Sequence, residues 1–276
     1  MSATGVDLLA ERLRGRRVVA LTGAGVSTES GIPDYRSPEA LARPRRPTHG
    51  PEFVRSAAVR RRYWARAFVG WTRMRGARPG AAHLALARLE ERGAVAGLIT
   101  QNVDRLHHAA GSRRVTELHG ALAEVICLDC RAVEDRDAVQ ARMRAQNPGW
   151  QDDPGPMAPD GDADLTDDRI AGFSVPSCRA CGGMLKPRVV FFGDNVPRPV
   201  VDEAFARLAE AEALLVAGTS LAVFSGYRFL LRAAERGLPI VIVNRGPVRG
   251  EEHAALKIDS STGATLAALA ARLDRD

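Results

Sequence analysis

The stretch LTGAGVSTESGIPDYRS, residues 21–37, decides the fold class of this chain. It follows RRVVAL, an apolar, β-branched run typical of a buried parallel strand, and it places Gly23 and Gly25 at the carboxyl end of that strand. In a doubly wound α/β sheet nucleotides bind at this end, where glycines let the backbone approach phosphate oxygens and turn amides can donate to them. A Gly-x-Gly turn also occurs without any ligand, so both interpretations stay open at this point.

The residues after the glycines narrow the choice. A dinucleotide fingerprint continues into a helix with a third small residue, whereas here Thr28 occupies that position and Pro33 breaks or delays a helix. We therefore expect a loop that holds Asp34, Tyr35 and Arg36 over the phosphate site. GAG followed by GIPD, an aromatic residue and arginine resembles the sirtuins, which are NAD-dependent protein-lysine deacylases.

Composition sets the bounds for this interpretation. The 276 residues are 45% hydrophobic, which is ordinary for a soluble globule of one or two domains. Of 39 basic residues only Lys186 and Lys257 are lysines, and the net charge is +6. That charge either marks an acidic partner such as nucleic acid or reflects a general use of arginine. Because the arginines are spread through every segment, we favour the second interpretation and do not expect nucleic-acid binding.

No membrane partner is expected, because no stretch approaches the roughly 18 apolar residues of a span. Leu8, Leu9 and Leu13 have helical spacing, and Asp7 and Glu11 lie among them. The amino terminus is therefore predicted to be a helix of the fold and not a targeting peptide, and a cytoplasmic location is expected.

A second motif follows the next predicted strand. Residues 81–91 form an amphipathic pattern, VAGLIT leads to Thr100, and Gln101-Asn102-Val103-Asp104 comes directly after it. Two amides and a carboxylate at a strand end suit a carboxamide and ribose hydroxyls. A dehydrogenase would instead need an acidic residue for the adenosine ribose. TQNxDxLH is also a sirtuin motif, and the resemblance implies that Asn102 and Asp104 contact the ribose and nicotinamide.

One of the six histidines is a candidate general base. His119 ends the predicted strand RRVTEL and precedes Gly120, so its imidazole can be presented into a cleft, where neutral imidazole is a competent base near pH 7. A structural histidine is the alternative, and we predict that role for His83. In the sirtuins the histidine of this His-Gly pair is the catalytic base.

The four cysteines predict a metal site. Cys127, Cys130, Cys178 and Cys181 form two Cys-x-x-Cys pairs with no spare thiol, which suits one tetrahedral structural zinc. Two disulfides or a redox pair are the alternatives, and the absence of a secretion signal argues against disulfides.

An insert lies between the two pairs. It begins with a predicted helix at 138–146 and continues through a Pro- and Asp-rich segment to Arg169. Asp160, Asp162 and Asp164 imitate a calcium loop, but Leu165 replaces its glycine and Ala171 its glutamate. The insert resembles that of class II sirtuins related to a mitochondrial member of animals.

Substrate contacts are predicted in two places. The apolar strand at Val189, Val190 and Phe191 either lies in the core or offers an edge to an extended peptide, and the sirtuin resemblance favours the edge. Tyr63 and Arg66 stand three apart on a predicted helix. They either form part of a solvated face or, as in class II sirtuins with acidic substrates, hold an acyl carboxylate. The same helix carries Trp64, Phe68 and Trp71, a stripe that indicates core or an acyl channel.

In the last third of the chain, strands and helices alternate. Gly218-Thr219-Ser220 and Asn244-Arg245-Gly246 each follow a predicted strand, and the resemblance implies that they hold the phosphate and the adenosine ribose, with Thr262 near the adenine. The cofactor contacts implied by the resemblance are, in full, Gly23, Ala24, Gly25, Thr28, Asp34, Tyr35, Arg36, Gln101, Asn102, Val103, Asp104, Gly218, Thr219, Ser220, Asn244, Arg245, Gly246 and Thr262.

Together these features predict an α/β fold, a Rossmann-like parallel sheet with a smaller inserted helical and zinc-ribbon domain. Residues 1–37, 80–122 and 186–276 are assigned to the NAD-binding domain, and 38–79 and 123–185 to the small domain. The resemblance implies an enzyme that uses NAD to deacylate acyl-lysine in proteins, releasing nicotinamide and O-acyl-ADP-ribose, with His119, Asn102 and Asp104 as the catalytic residues. A protein mono-ADP-ribosyltransferase using the same pocket is the alternative.

Overall fold

The computed structural model describes residues 3–42, 47–150, 158–163 and 165–273. The chain folds into two compact units. The sheet unit comprises Met1–Arg36, Arg78–Leu118 and Val196–Asp276, and the small unit comprises Ser37–Ala77 and His119–Asn195. Residues 119–122 and 186–195 thus belong to the small unit and not, as the sequence boundaries had it, to the larger one. The reason is that residues 120–122 and 186–189 of these stretches belong to strands of the antiparallel sheet of the small unit.

The strands of the described residues fall into two sheets. In chain order they are β1 (Val18–Thr22), β2 (Val95–Thr100), β3 (Val115–Glu117), β4 (Gly120–Cys127), β5 (Val133–Asp135), β6 (Leu185–Val189), β7 (Ala213–Ala217), β8 (Ile240–Val243) and β9 (Leu256–Ile258). The sheet unit has a parallel sheet in the order β3-β2-β1-β7-β8-β9, and the small unit has an antiparallel sheet in the order β5-β4-β6. The parallel order is that of a Rossmann fold, whose direction of winding reverses between β1 and β7.

The helices that surround these sheets are α1 (Ala3–Leu13), α2 (Pro38–Leu41), α3 (Gly50–Arg55), α4 (Ala57–Gly76), α5 (Ala81–Glu91), α6 (Leu106–Ala109), α7 (Arg136–Gln146), α8 (Asp167–Ala171), α9 (Arg198–Ala209), α10 (Phe224–Glu235) and α11 (Thr262–Leu273). Among the described residues, no helix is both long and apolar enough to cross a lipid bilayer.

Alternate residues of the central strands pack into two separate hydrophobic cores, one on each face of the parallel sheet. Val18 and Ala20 of β1 face the core that includes α1, α5 and α11, whereas Val19 and Leu21 face the core that includes α9 and α10. Both faces are covered, which explains the unbroken apolar runs of β1, β7 and β8. The predicted helix at the amino terminus is α1, in which Leu9 and Leu13 are buried and Leu8 is exposed.

The small unit has a core rich in aromatic rings. Trp64, Phe68 and Trp71 of α4 are all buried, which confirms that this stripe is core. The sequence pattern predicts one helical segment from Glu52 onward, but the structure has two helices there, because the chain is extended at Ser56. The Ser56 hydroxyl then caps α4 by accepting from the Val59 amide at 3.3 Å.

Part of the insert packs against α4. Arg66 and Ala163 form a reciprocal pair: the Ala163 amide donates to the Arg66 carbonyl at 3.2 Å, and Arg66 Nε donates to the Ala163 carbonyl at 2.8 Å. Gly161 lies so close to Gly70 that a Cβ on Gly70 would stand 1.7 Å from the Gly161 carbonyl oxygen. Residues 151–157 and 164 of the insert lie outside the described residues, and so does the third aspartate of the calcium-like sequence.

Candidate active site

The two glycines after β1 lie directly against the loop after β7. A Cβ on Gly23 would stand 2.6 Å from Thr219 Cβ, and a Cβ on Gly25 would stand 2.9 Å from Gly218 Cα. The Gly25 amide also donates to the Gly218 carbonyl at 2.8 Å. Glycine is therefore required because two loops meet where the winding of the sheet reverses, which is where doubly wound folds bind nucleotides.

Several donors of this turn are used within the protein. The amides of Val26 and Ser27 donate to the carbonyls of Gly23 and Ala24 at 3.1 and 3.0 Å, and the Thr28 hydroxyl donates to the Gly25 carbonyl at 3.1 Å. These three donors are thus bonded within the turn, and phosphate binding by the turn amides stays a prediction. Their role in the structure is to hold the turn rigid.

A cluster of polar side chains is centred on Ser27, which is buried. Its hydroxyl donates to Asp104 Oδ2 at 2.7 Å and accepts from Asn102 Nδ2 at 3.0 Å, and His83 Nε2 lies 3.3 Å away. His83 Nδ1 accepts from the Gly80 amide at 3.1 Å, so the ring proton is on Nε2 and also points at Ser27. Burial lowers the pKa of His83, although Asp104 opposes the shift, so the ring is neutral near pH 7.

This Ser27 cluster brings two predicted site residues together. Asn102 and Asp104 are half-buried at the carboxyl edge of the sheet, and Ser27 holds both. A second bond from Asn102 Nδ2 reaches the Gly23 carbonyl at 3.1 Å, and Asp104 Oδ1 accepts from the Leu106 amide at 2.9 Å. The arrangement fixes an amide and a carboxylate side by side, which suits a carboxamide and sugar hydroxyls.

The other residues predicted for the cofactor lie at the same edge or in the loops beyond it. Gln101 donates to Thr219 Oγ1 at 3.0 Å, and the Thr262 hydroxyl at the start of α11 donates to the Gly25 carbonyl at 3.1 Å. Asn244 is buried and donates to the Arg245 carbonyl at 2.7 Å. Other positions show partial or full exposure: Ala24, Asp34, Val103, Ser220 and Gly246 are half-buried, and Tyr35, Arg36 and Arg245 are exposed.

His119 and the predicted peptide strand lie in the small unit. The His119 carbonyl accepts from the Val190 amide at 2.9 Å, and β6 is an edge strand of its sheet. The edge is partly occupied, because the Phe191 amide donates to Asp194 Oδ2 at 3.2 Å and the Val189 carbonyl accepts from Lys186 Nζ. These two backbone groups of the strand are thus already bonded within the small unit.

The four cysteines also meet in the small unit. Their sulfur atoms lie within 4.8 Å of one another, with Cys127 and Cys181 3.6 Å apart and Cys130 and Cys178 3.7 Å apart. These distances exceed the roughly 2.05 Å of a disulfide. They match the separation of about 3.8 Å that tetrahedral ligands at about 2.3 Å from zinc must have. The donor set thus fits one structural zinc with no open position.

Tyr63 and Arg66 do not form a solvated pair. Tyr63 is buried, and its ring lies within 5.5 Å, between centroids, of Phe53, Trp64 and Phe191. Burial, followed by the charge of Asp162, raises the pKa of Tyr63 well above its ordinary value, so the phenol is neutral. Arg66 is engaged with the insert at Ala163.

Comparison with known proteins identifies the family. The Sir2 family profile matches residues 23–225, which is most of the chain. The chain belongs to the Sir2 family. It is 51% identical over 254 residues to the Homo sapiens NAD-dependent protein lipoamidase sirtuin-4, mitochondrial, covering 91% of this chain and 81% of the relative. It is 50% identical over 264 residues to NAD-dependent protein deacetylase 1 of Mycobacterium avium, covering 95% and 93% of the two chains.

Solved structures of Sir2 proteins agree with the Rossmann-like fold. A structure described under the mechanism and regulation of Sir2 enzymes superposes with a TM-score of 0.79 at 31% identity, covering 99% of each chain. A Sir2 complex with a p53 peptide and NAD+ superposes with a TM-score of 0.77 at 29% identity, covering 98% of this chain and 99% of the other. Zinc and NAD, the two cofactors predicted from the sequence, are thus the cofactors of a Sir2 protein.

The Sir2 motifs did not reveal every residue that supports the site. In the sequence Ser27 is only a hydroxyl beside the glycine turn, and His83 is predicted to be structural. In the structure Ser27 donates to Asp104, and His83 Nε2 lies 3.3 Å from Ser27. Thr22 and Thr100 have no predicted role in the site, although each is a hydroxyl at the last position of an apolar strand. That placement was the available signal, because a buried strand rarely ends in a polar side chain unless the group has a partner.

Proposed function

We propose that this protein is an NAD-dependent protein-lysine deacylase. The reaction transfers the acyl group of a modified lysine to the ADP-ribose of NAD, consumes one water, and releases nicotinamide and the free lysine amine. The observation that carries the proposal is the Ser27 cluster, because it presents Asn102 and Asp104 together at the edge where the winding reverses in a Sir2-family sheet. Two Sir2 structures similar to this one are complexes with a p53 peptide and NAD+ and with a propionylated peptide.

Each predicted residue then has a defined task. Asn102 and Asp104 orient the nicotinamide ribose and carboxamide, which raises the rate by holding the reacting groups in position. His119 accepts a proton from a ribose hydroxyl as general base. Val189, Val190 and Phe191 bind the backbone of the substrate on either side of the acyl-lysine. NAD supplies the electrophilic sugar carbon and nicotinamide as the leaving group.

The packing of Tyr63 and Arg66 favours a neutral acyl group. A buried neutral phenol beside Phe53 and Phe191 offers an apolar wall, and Arg66 already donates to Ala163. Arg66 Nε is already bonded to the Ala163 carbonyl, so a succinyl or glutaryl carboxylate would have to pair with the other guanidinium nitrogens and lose its hydration beside the apolar wall. We therefore expect acetyl- or lipoyl-lysine to be preferred to the acidic acyl-lysines.

Nicotinamide release from NAD tests the proposal. The assay uses acetyl-, lipoyl-, succinyl- and glutaryl-lysine peptides with the zinc-loaded protein. We expect release that depends on an acylated peptide, and a loss of about 10²- to 10⁴-fold in the His119→Ala variant, as for removal of a general base.

His253→Ala is the matched control, because His253 is exposed and lies outside every motif of the site. It should leave the rate unchanged. The proposal is wrong if the folded protein releases no nicotinamide with any of the peptides. If mass spectrometry instead finds ADP-ribose attached to protein, the activity is mono-ADP-ribosyl transfer in the same pocket.

A further inference from the structure

Three buried polar side chains meet where β1 and β2 end. Two of them, Thr100 and His107, are the first and last residues of the TQNxDxLH motif, but none of the three has a predicted role in the site. Thr22 and Thr100 are paired residues of the two strands, and His107 lies on α6. Their exposures are 0%, 3% and 2%. Burying polar groups is unfavourable unless they bond one another well, so such a trio calls for an explanation.

The hydrogen bonds of this trio run in one direction. Thr22 Oγ1 lies 2.9 Å from His107 Nε2 and 2.9 Å from Thr100 Oγ1. His107 Nδ1 is buried and has no hydrogen-bond partner in the part of the chain that the structure describes. A proton on Nδ1 would be a buried, unsatisfied donor, so the proton is on Nε2. His107 therefore donates to Thr22, and Thr22 donates to Thr100.

This relay ends at a residue of the candidate site. Thr100 Oγ1 accepts from the backbone amide of Asn102 at 3.2 Å. The Asn102 side chain in turn donates to Ser27 and to the carbonyl of Gly23, the residue after Thr22. The backbone amide and the side-chain amide of Asn102 are thus both bonded to residues at the strand ends that His107 contacts through Thr22.

A neighbouring ring fixes the orientation of His107. The His83 ring packs against it in a T-shaped arrangement with centroids 4.9 Å apart, and His83 is itself held by Ser27 and Gly80. The Nε2–H of His107 therefore points at Thr22 by packing as well as by hydrogen bonding.

We propose that His107 is a positioning residue for the nicotinamide-ribose pocket. It acts through Thr22 and Thr100 to hold the backbone and the side-chain amide of Asn102 where NAD binds. The inference rests on the proposed function, because Asn102 is given its role there.

The test compares variants that keep or remove the hydrogen bonds of Thr22. Gln can place its Nε2 donor near the position of His107 Nε2, whereas Leu cannot donate. Thr22→Val removes both the acceptor for His107 and the donor to Thr100 with almost no change of shape. We expect His107→Leu and Thr22→Val to raise KM for NAD about three- to tenfold, the range that one lost hydrogen bond produces, with a smaller change in kcat. His107→Gln should remain within about twofold of wild type.

Coupling tests the relay itself. If His107 acts through Thr22, the double variant should bind NAD no more weakly than Thr22→Val alone. His108→Gln, an exposed neighbour on the same helix, should match wild type. The inference is overturned if folded His107→Leu keeps the wild-type KM, if His107→Gln is as impaired as His107→Leu, or if the two effects multiply. A His107→Leu variant that fails to fold leaves the near-isosteric Thr22→Val to decide.

NAD affinity measured by titration calorimetry separates this inference from the proposed function. A wild-type protein that binds NAD but releases no nicotinamide contradicts the function, and the affinity series then still decides the role of His107. Unchanged affinity in Thr22→Val contradicts the relay even if the wild-type protein is an active deacylase.

Discussion

Burial determines the charge of His107 as well as its hydrogen bonds. Loss of hydration, followed by the influence of His83 and His108, lowers the pKa of His107 to about 3. In the unfolded chain the same ring titrates near pH 6.5. Between these values the unfolded state binds a proton that the native state does not, so stability rises with pH and is lost as the pH falls.

We therefore predict that His107 makes the protein acid-sensitive from about pH 6.5 downward toward pH 3. The expected slope from this residue is about 1.4 kcal/mol per pH unit. Urea denaturation of wild type and His107→Gln, followed by circular dichroism at pH 4.5 to 7.5, measures this slope. The difference between the two free energies of unfolding removes the contribution of the carboxylates, which both proteins share. A difference in free energy of unfolding that does not change with pH would contradict the lowered pKa of His107.

At the scale of single residues, the sequence predicted which residues belong to the site better than it predicted their hydrogen-bond partners. Asn102, Asp104 and the four cysteines could be selected from short motifs, because each motif keeps its chemistry within a few residues. The bonds from Thr22 to Thr100 and His107 join residues 78 and 85 positions apart. No local pattern carries that information, and only the pairing of β1 with β2 and the placement of α6 create it.

Among the elements, prediction succeeded where the apolar period was strong. Strand β2 and helix α5 have the predicted bounds, since VAGLIT is a continuous apolar run and a glycine follows the amphipathic helix. Strand β9 was missed, because its three residues, LKI, are too short to show a period. The break between α3 and α4 was also missed, because Ser56 resembles an ordinary helical residue until its capping bond is seen.

A substitution in helix α4 tests how the insert is held against this helix. Gly70 lies within the helix, where alanine would normally be more favourable, but a Cβ there would meet the Gly161 carbonyl oxygen at 1.7 Å. We predict that Gly70→Ala pushes the insert off α4 and lowers the free energy of unfolding by about 1–3 kcal/mol. Urea denaturation followed by tryptophan fluorescence reports on this unit, because Trp64, Trp71 and Trp150 all belong to it.

Gly76→Ala is the matched control on the same helix. Nothing lies within 4 Å of a Cβ at Gly76, so stability should be unchanged or slightly higher. Equal stability of Gly70→Ala and wild type would show that residues 158–163 move aside without cost, and the close packing of the insert would then have no energetic role.

At the scale of the whole molecule, each unit has a core of its own. The aromatic core lies entirely in the small unit, and the two cores on either side of the parallel sheet lie entirely in the sheet unit. Such units can open separately, with the less stable one opening first. The cysteine cluster lies in the small unit, so the free energy of zinc binding is also a contribution to its folding.

Removal of the metal should therefore act on one unit. We predict that Cys181→Ser, or treatment with a chelator, lowers amide hydrogen-exchange protection in β4, β6 and α7 by roughly 100-fold or more, because structural zinc supplies several kcal/mol of folding free energy. Protection in β1, β7 and β8 should change little, since their bonds depend on the parallel sheet and its two cores. Restoring zinc to the chelated wild type should restore protection, and it should not do so in the variant. An equal loss of protection in both units would mean that they unfold as one, and the division of the chain into separately stable units would have to be abandoned.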